Sequence, residues 1–181
     1  MKELSLHILD IVENSFKAKA NLVKIIWKEN IAENKIELIV EDDGTGMSEE
    51  LLERATNPFF TTRTTRKVGL GLSLLKATAE RCGGCFCISS ELGKGTKLEV
   101  WFERNNIDLP PLGDFVNTIV SLAGNQYNCD VLLKRSINEN FYELDTRDIK
   151  RVLECEDLSE VDILMWIKEY LKEKEDKLLD C

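Results

Sequence analysis

Asp10-Ile11-Val12-Glu13-Asn14 lies within residues 2–20, where apolar side chains recur every three or four positions. That spacing predicts an amphipathic helix with a wide buried stripe. Asp10 and Asn14 are four residues apart, so their side chains lie one above the other on one helix face. A carboxylate and a carboxamide are hard oxygen ligands, suited to magnesium or an ordered water. For this pair alone, a solvated polar face is the better explanation.

The residues after this helix predict a sheet with helices laid on it. Residues 23–27 and 36–40 carry the period of two that is typical of strands, and a polar turn separates them. Further strands are predicted over residues 85–90 and 96–102. Helices are predicted over residues 49–55, with Ser48 as the cap, and 71–81, ended by Gly83-Gly84. The first part of the chain is therefore expected to be α+β, with helices on one face of a mostly antiparallel sheet.

A linker over residues 105–111, closing with two prolines, divides the chain into a first domain of residues 1–104 and a small α+β segment of residues 112–181. In the second segment we expect a helix over residues 113–124, strands near 130–136 and 140–144, and a helix capped by Asp145 or Thr146. A last amphipathic helix is predicted from Ser159 to about Lys174. This helix packs either within its own chain or against a partner, and packing within the chain is the preferred expectation.

Composition limits the possible functions. The chain has 181 residues, 43% of them hydrophobic, and a net charge of -9. An acidic chain lacks the basic footprint that nucleic-acid backbones need, so nonspecific nucleic-acid binding is not expected. Neither a signal peptide nor an apolar run long enough for a membrane span is evident, which predicts a cytoplasmic protein without a membrane segment.

Three glycine-containing loops follow the first helix. Asp42-Asp43-Gly44-Thr45-Gly46 directly follows a predicted strand, and its glycines permit a close backbone approach to a ligand. Val68-Gly69-Leu70-Gly71 opens a helix, whose N-terminal N–H groups can hold phosphate. Gly93-Lys94-Gly95-Thr96 is not a P-loop, because glycine separates Lys94 from Thr96. Taken alone, it is equally well explained as a hairpin turn.

Together, the four segments resemble the nucleotide-binding boxes of the GHKL ATPases, in the order of that family. Asp10 to Ser15, with Ala18 and Ala20, resembles the N box, and the three loops resemble the glycine boxes. Asn57-Pro58-Phe59-Phe60-Thr61-Thr62 looks especially like sensor histidine kinases. The resemblance covers roughly residues 4–102 and implies a Bergerat-type two-layer α/β sandwich that binds ATP and Mg²⁺. A complete sensor kinase is disfavoured, since no sensor or dimerisation segment precedes the N box.

The resemblance also implies roles for individual residues. Asn14 would coordinate magnesium, and Asp42 would accept a hydrogen bond from the adenine amino group, with Thr96 supporting it through water. The remaining ATP-binding residues would be the pocket glycines, the lid residues and the phosphate-contacting glycines: Gly44, Gly46, Thr61, Thr62, Arg63, Lys67, Gly69 and Gly71. The lid would span residues 61–68, and Arg63, Arg66 and Lys67 are its cations, candidate phosphate partners that no motif assigns.

Asp10 departs from the family pattern. It stands where hydrolytic members carry a glutamate general base, and aspartate is one methylene shorter. Glu13 is the second choice for the base, although it lies on a different helix face. His7, the sole histidine, is expected to be a packing or second-shell residue rather than a phospho-acceptor.

Three functions follow from the resemblance: an ATPase or ATP-driven switch acting on a protein partner, a protein kinase of the anti-sigma-factor type, and a non-catalytic ATP-binding adaptor. The C-terminal segment would then contact the partner. Cys82, Cys85 and Cys87 are spaced as CxxCxC. No second cysteine pair or nearby histidine completes a metal-ligand set, so a Gly-Gly turn followed by a strand is the preferred interpretation over a metal or redox site.

Overall fold

The structure, a computed structural model, describes residues 3–56 and 71–180. Within them, the elements follow in the order α1 (Leu4–Lys17), β1 (Leu22–Asn30), β2 (Lys35–Asp42), α2 (Glu49–Thr56), α3 (Gly71–Arg81), β3 (Cys85–Glu91), β4 (Gly95–Glu103), α4 (Phe115–Ala123), β5 (Asp130–Ile137), β6 (Asn140–Asp145), α5 (Thr146–Leu153) and α6 (Val161–Leu179).

The strands form one six-stranded sheet in the order β3-β4-β2-β1-β5-β6. Among the strands of residues 3–56 and 71–180, only β1 and β5 pair in parallel, and the other pairs are antiparallel. One face of the sheet is apolar and packs against α1, α3, α4 and α6 in a single core, whereas the other face carries charged side chains. This α+β sandwich, with helices laid on a mixed, mostly antiparallel sheet, confirms the predicted fold class.

Strand alternation produces the two faces. Val23, Ile25 and Trp27 of β1 point into the core, and each is at most 1% exposed. Between them, Lys24 and Lys28 pair across the sheet with glutamates of β2 on the outer face. Because successive strand residues point to opposite faces, a register slip of one residue would bury these charges.

The C-terminal strands are part of the same sheet. Strand β5 lies beside β1 with Val23 opposite Val131 and Ile25 opposite Leu133, so residues on both sides of the predicted linker share one core. Sequence periodicity identified these strands but contained no information on which strand they would pair with. The division at residues 105–111 stays a prediction about separate folding units.

Several helix ends differ from the predicted ones. Helix α4 begins at Phe115, behind Asp114, whose carboxylate accepts a hydrogen bond from the backbone N–H of Asn117. Helix α6 runs to Leu179, further than predicted. Asp145 caps α5, whereas the Thr146 hydroxyl accepts from the backbone N–H of Val131. Among the helices of the described residues, none has the length and apolar character that crossing a membrane requires.

A buried cation links β5 to β1 and α6. The guanidinium of Arg135, which is 1% exposed, pairs with Glu29 of β1 at 2.9 Å and with Glu175 of α6 at 3.2 Å. The Tyr142 hydroxyl donates a hydrogen bond to Glu175, and the Arg135 guanidinium lies 5.9 Å from the centroid of the Trp27 ring. Burial and the hydrogen bond to Glu175 raise the pKa of Tyr142, so its hydroxyl stays protonated.

We expect Arg135→Ala to lower the free energy of unfolding by roughly 3–5 kcal/mol, because it leaves the largely buried Glu175 carboxylate without a cation and Glu29 with only the Arg104 side chain at 3.5 Å. Lys134→Ala is the matched control. Lys134 is the preceding residue, on the outer face, and pairs with Glu143 at the surface. Its loss is expected to change stability by about 0–1 kcal/mol. Urea denaturation followed by circular dichroism measures both, and equal losses would contradict a structural role for the buried ion pairs.

Candidate nucleotide-binding site

A cavity of about 300 Å³ opens between α1, the ends of β2 and β4, and α2. It is lined by Asn14, Asp42, Gly46 and Thr96, four residues that the sequence predicted for the ATP site. Small-molecule sites typically measure roughly 300–1,000 Å³. The other walls are mainly apolar: Ile11, Val40, Met47, Leu51, Ala55, Leu72, Ile88 and Leu98. The cavity therefore combines an apolar slot with a few polar groups.

Asp42 is the most firmly held polar group of this cavity. Its Oδ1 accepts hydrogen bonds from the backbone N–H of Gly44 at 2.9 Å and of Thr96 at 3.2 Å. Its Oδ2 accepts from the Ser15 hydroxyl at 2.7 Å. Donors from α1, from the loop after β2 and from β4 thus hold the carboxylate in one orientation, with lone pairs left over for a ligand.

Two glycines allow the surrounding loops to approach each other. Gly46 has φ +63°, and a Cβ there would lie 2.0 Å from the carbonyl oxygen of Glu91. Gly95 has φ +99°, and a Cβ there would lie 1.9 Å from the carbonyl oxygen of Asp42. Only glycine satisfies both the positive φ and the lack of space. Gly93 to Thr96 is therefore a hairpin turn that also delivers Thr96 to the cavity.

Ser90 of β3 forms hydrogen bonds with two residues that line the cavity, Thr96 and Met47. Its hydroxyl lies 2.9 Å from Thr96 Oγ1 and accepts from the backbone N–H of Met47 at 2.8 Å. Neither Ser15 nor Ser90 was predicted as a site residue. Ser15 follows Asn14 directly, and its place on the buried stripe of α1 could have indicated an inward hydroxyl. Ser90 had no such sequence pattern, because its role depends on the pairing of β3 with β4.

Asp10 lies apart from the cavity lining, against the start of α3. Its Oδ2 is buried and has no hydrogen-bond partner among residues 3–56 and 71–180. A Cβ on Gly71 would lie 1.6 Å from this oxygen, so Asp10 and Gly71 are in direct contact. Burial raises the pKa of the Asp10 carboxyl; Lys17 opposes this shift and Glu13 adds to it. A raised pKa makes the carboxylate a better proton acceptor.

The other predicted residues divide into three groups. Glu13 is on the surface and pairs with Lys17 at 3.2 Å, away from Asp10's contact with Gly71. Gly44 is buried beside Asp42 and holds it through its N–H. The lid predicted for residues 61–68 lies outside the described residues, as do the individual predictions for Thr61, Thr62, Arg63, Arg66, Lys67 and Gly69.

His7 is 1% exposed, and neither ring nitrogen has a hydrogen-bond partner within the described part of the chain. Burial lowers its pKa to about 4, so the ring is neutral at pH 7. It is a packing residue of α1.

The three clustered cysteines lie on both sides of the Gly83-Gly84 turn. Cys82 is buried after the last residue of α3, whereas Cys85 and Cys87 are exposed on one face of β3 after the Gly83-Gly84 turn. Among the described residues, no three acidic, cysteine or histidine side chains are grouped to hold a metal ion.

Comparisons with known proteins agree with this geometry. The family model of histidine kinase-, DNA gyrase B- and HSP90-like ATPases matches residues 2–106. The chain belongs to this family, whose members are the GHKL ATPases.

Its similarity to known proteins is centred on sensor kinases. It is 35% identical over 86 residues to the sensor kinase CckA of Brucella abortus (strain 2308), which covers 47% of this chain and 9% of that protein. It is 34% identical over 97 residues to the histidine protein kinase DivJ of Caulobacter vibrioides, covering 51% of this chain and 16% of that protein. The chain thus spans less than a fifth of either relative. The N-terminal domain of a DNA repair protein has a similar fold, with a TM-score of 0.55, 16% identity, and coverage of 80% of this chain and 52% of that one.

The contact between Asp10 and Gly71 yields a prediction. Gly71→Ala should lower the free energy of unfolding by roughly 1–3 kcal/mol, because the added methyl group collides with the carboxylate. In the double variant Asp10→Ala/Gly71→Ala, the nearest remaining atom of residue 10 is its Cβ. It lies 3.5 Å from the added methyl group, which is an ordinary contact distance. The methyl group should therefore be tolerated in the Asp10→Ala background. A double-mutant cycle by urea denaturation measures the difference, and equal costs in both backgrounds would contradict the contact.

Proposed function

We propose that this chain binds ATP with magnesium in the cavity around Asp42, and that it acts as an ATPase or ATP-driven switch on a protein partner. The observation that carries the proposal is the Asp42 carboxylate, held by three donors at the polar end of an apolar slot. An aromatic base with an exocyclic amine suits such a slot, because its ring packs on apolar walls and its amine donates to the carboxylate.

Asn14 is the proposed magnesium ligand. Its carboxamide lines the same cavity as Asp42, one helical turn after Asp10, and a carboxamide oxygen is a hard ligand suited to Mg²⁺. When bound, the ion would neutralise phosphate charge. The site would depend on residues 57–70 for further phosphate contacts, and Thr61, Thr62, Arg63, Lys67 and Gly69 remain proposed contributors. The start of α3 at Gly71 is the proposed phosphate-facing N-terminus.

Asp10 is the proposed general base. Its buried Oδ2, without a partner among the described residues, and its raised pKa support a role in accepting a proton from an attacking water or a partner hydroxyl. The contact with Gly71 also supports this role, because the start of α3 is the proposed phosphate end of the site. Glu13 is the weaker candidate, since Lys17 engages its carboxylate at the surface.

The same proposal includes a cytoplasmic location, where ATP is available. The free thiols of Cys82, Cys85, Cys87, Cys129 and Cys155 support it, because thiols stay reduced in that compartment.

Calorimetric titration with ATP tests the binding site. Asn14→Ala should abolish the magnesium-dependent part of the affinity. Asp42→Asn should weaken ATP binding by roughly 10–100-fold, since a hydrogen bond to a charged group contributes about 1.5–3 kcal/mol. An asparagine whose oxygen keeps the Gly44 and Thr96 donors has its amide nitrogen in the place of Oδ2, and that nitrogen cannot accept a hydrogen bond from an exocyclic amine. Asp43→Asn is the control, because Asp43 accepts from the backbone of Asn21 and Leu22 outside the cavity. Unchanged affinity in both site variants would refute the proposal.

Turnover tests the general base separately. Asp10→Asn should lower phosphate release by roughly 10²–10⁴-fold, the usual contribution of a general base, while ATP affinity is retained. Glu13→Gln is the matched control on the same helix, and we expect it to keep full turnover. If turnover survives Asp10→Asn and is lost in Glu13→Gln, then Glu13 is the base.

ATP labelled on the γ-phosphate separates the ATPase from the two alternatives. Free labelled phosphate supports the ATPase. Label transferred to another protein supports a kinase of the anti-sigma-factor type, which the sequence similarity to histidine kinases favours as the second candidate. Tight binding without either product supports a non-catalytic adaptor.

A further inference from the structure

The Ser90 hydroxyl, near the end of β3, contacts three polar atoms whose chemistry limits the direction of each hydrogen bond. The backbone N–H of Met47 can only donate, and its nitrogen lies 2.8 Å from Ser90 Oγ. The carbonyl oxygen of Gly95 can only accept, and it lies 2.9 Å from the same atom. The third atom is Thr96 Oγ1, also at 2.9 Å, and this hydroxyl could either donate or accept.

One arrangement of protons satisfies all three contacts. A hydroxyl has one proton to donate and two lone pairs that accept. When Ser90 donates to the Gly95 carbonyl, its lone pairs accept from the Met47 N–H and from the Thr96 hydroxyl. In the reverse arrangement Ser90 donates to Thr96, so one hydrogen bond is lost and a Ser90 lone pair faces the Gly95 oxygen at 2.9 Å. The hydrogen-bond network therefore assigns the Thr96 proton to the bond with Ser90.

This assignment determines what Thr96 presents to the cavity. Thr96 lines the cavity together with Asp42, and its proton is directed at Ser90, its partner on the neighbouring strand. The Thr96 hydroxyl can therefore only accept a hydrogen bond from a ligand. Asp42 is an acceptor as well. Its Oδ1 already receives the N–H groups of Gly44 and Thr96, whereas Oδ2 receives the Ser15 hydroxyl and keeps a lone pair. The carboxylate and the hydroxyl thus both require a donor.

We propose that Ser90 is a positioning residue that determines base specificity, because it holds the Thr96 hydroxyl in its accepting orientation. A base with an exocyclic amine, such as adenine, matches acceptors with its N–H groups. A base with a carbonyl at the same position, such as hypoxanthine, would place a further acceptor against them, and an unpaired polar group in a binding site is unfavourable. The inference rests on the proposed function of the cavity, and Ser90 itself does not line that cavity.

The probes are ADP and inosine diphosphate, which carry an amine and a carbonyl at the same position of the base. Neither has a γ-phosphate that turnover could remove, so calorimetry with Mg²⁺ and the full chain measures binding alone. We expect the wild type to bind ADP at least about tenfold more tightly than inosine diphosphate. In Ser90→Ala the Thr96 hydroxyl loses its acceptor and can rotate to donate to the carbonyl. The ratio of the two affinities should then fall by roughly three- to tenfold, the effect of one neutral hydrogen bond.

Three further variants show whether the change arises from the orientation of the hydroxyl. Ser90→Thr keeps a hydroxyl on a side chain that suits a strand, so the wild-type ratio should be retained. Ser89→Ala is the matched control, since Ser89 is the preceding residue, exposed on the opposite face of β3, and we expect no change in the ratio. In a Thr96→Val background no hydroxyl is left to rotate, so adding Ser90→Ala should not lower the ratio further.

Other outcomes overturn the inference. Equal weakening of both nucleotides in Ser90→Ala would mean that Ser90 only supports the local structure. A further fall of the ratio in the Thr96→Val background would mean that Ser90 acts by another route. Equal affinity of the wild type for the two nucleotides also overturns the inference, and this measurement needs no variant that might fail to fold. In that case ADP still binds and the proposed function stands, whereas absence of binding of either nucleotide to the wild type refutes the proposed function as well.

Discussion

The Arg135 guanidinium is buried between the sheet and α6, and its position requires three elements to be in register at once. Its partners are Glu29 on β1 and Glu175 on α6, and an unpaired charge at this depth would be strongly unfavourable. Glu29 also accepts from the indole N–H of Trp27 and approaches the Arg104 side chain at 3.5 Å. The two halves of the chain are therefore held together by complementary charges as well as by apolar packing.

The geometry of the candidate site depends on strand pairing in this sheet. Strand β1 places Val23 opposite Asp42, and β4 places Thr96 opposite Asp42 from the other side. Strand β2 is thus paired on both sides at Asp42. The Thr96 N–H that donates to the Asp42 carboxylate comes from one of the two neighbouring strands, β4. A carboxylate at the end of an isolated hairpin would have no such constraint. Rigid strands are what allow one aspartate to be selective for a donor in a fixed position.

The fold could be predicted from sequence to the extent that local periodicity determines it. The alternation in β1 and β2 and the helical spacing in α1 identified these elements correctly, because each buries one face. The parallel pairing of β5 with β1 could not be predicted, since Val131 and Leu133 would be equally buried beside another strand. For the candidate site, motif order predicted Asp42, Asn14 and Thr96, and these three residues line one cavity.

The residues that sequence reasoning missed are those whose roles depend on three-dimensional proximity. Ser15 supports Asp42 across 27 positions of chain, and Ser90 supports Thr96 across a strand pair. Gly71 was assigned to phosphate contact, and its steric contact with Asp10 was not foreseen. A sequence motif shows which residue types occur at given positions. The residue type required at a position is often determined by a spatial neighbour that is distant in sequence, and the motif does not show that neighbour.

Helix α1 connects the site with the C-terminal helices. One flank carries Asp10 and Asn14, the buried stripe packs on the sheet and on α4, and α4 in turn packs on α6. Protein interiors are close-packed, so α1 cannot shift towards the cavity without either opening a void against α4 or carrying α4 with it. Opening a void costs roughly 24 cal/mol per Å³, so a displacement that leaves even a methylene-sized gap is opposed. Joint movement of α1 and α4 is therefore favoured over movement of α1 alone, and any such movement changes the surface on which α6 rests.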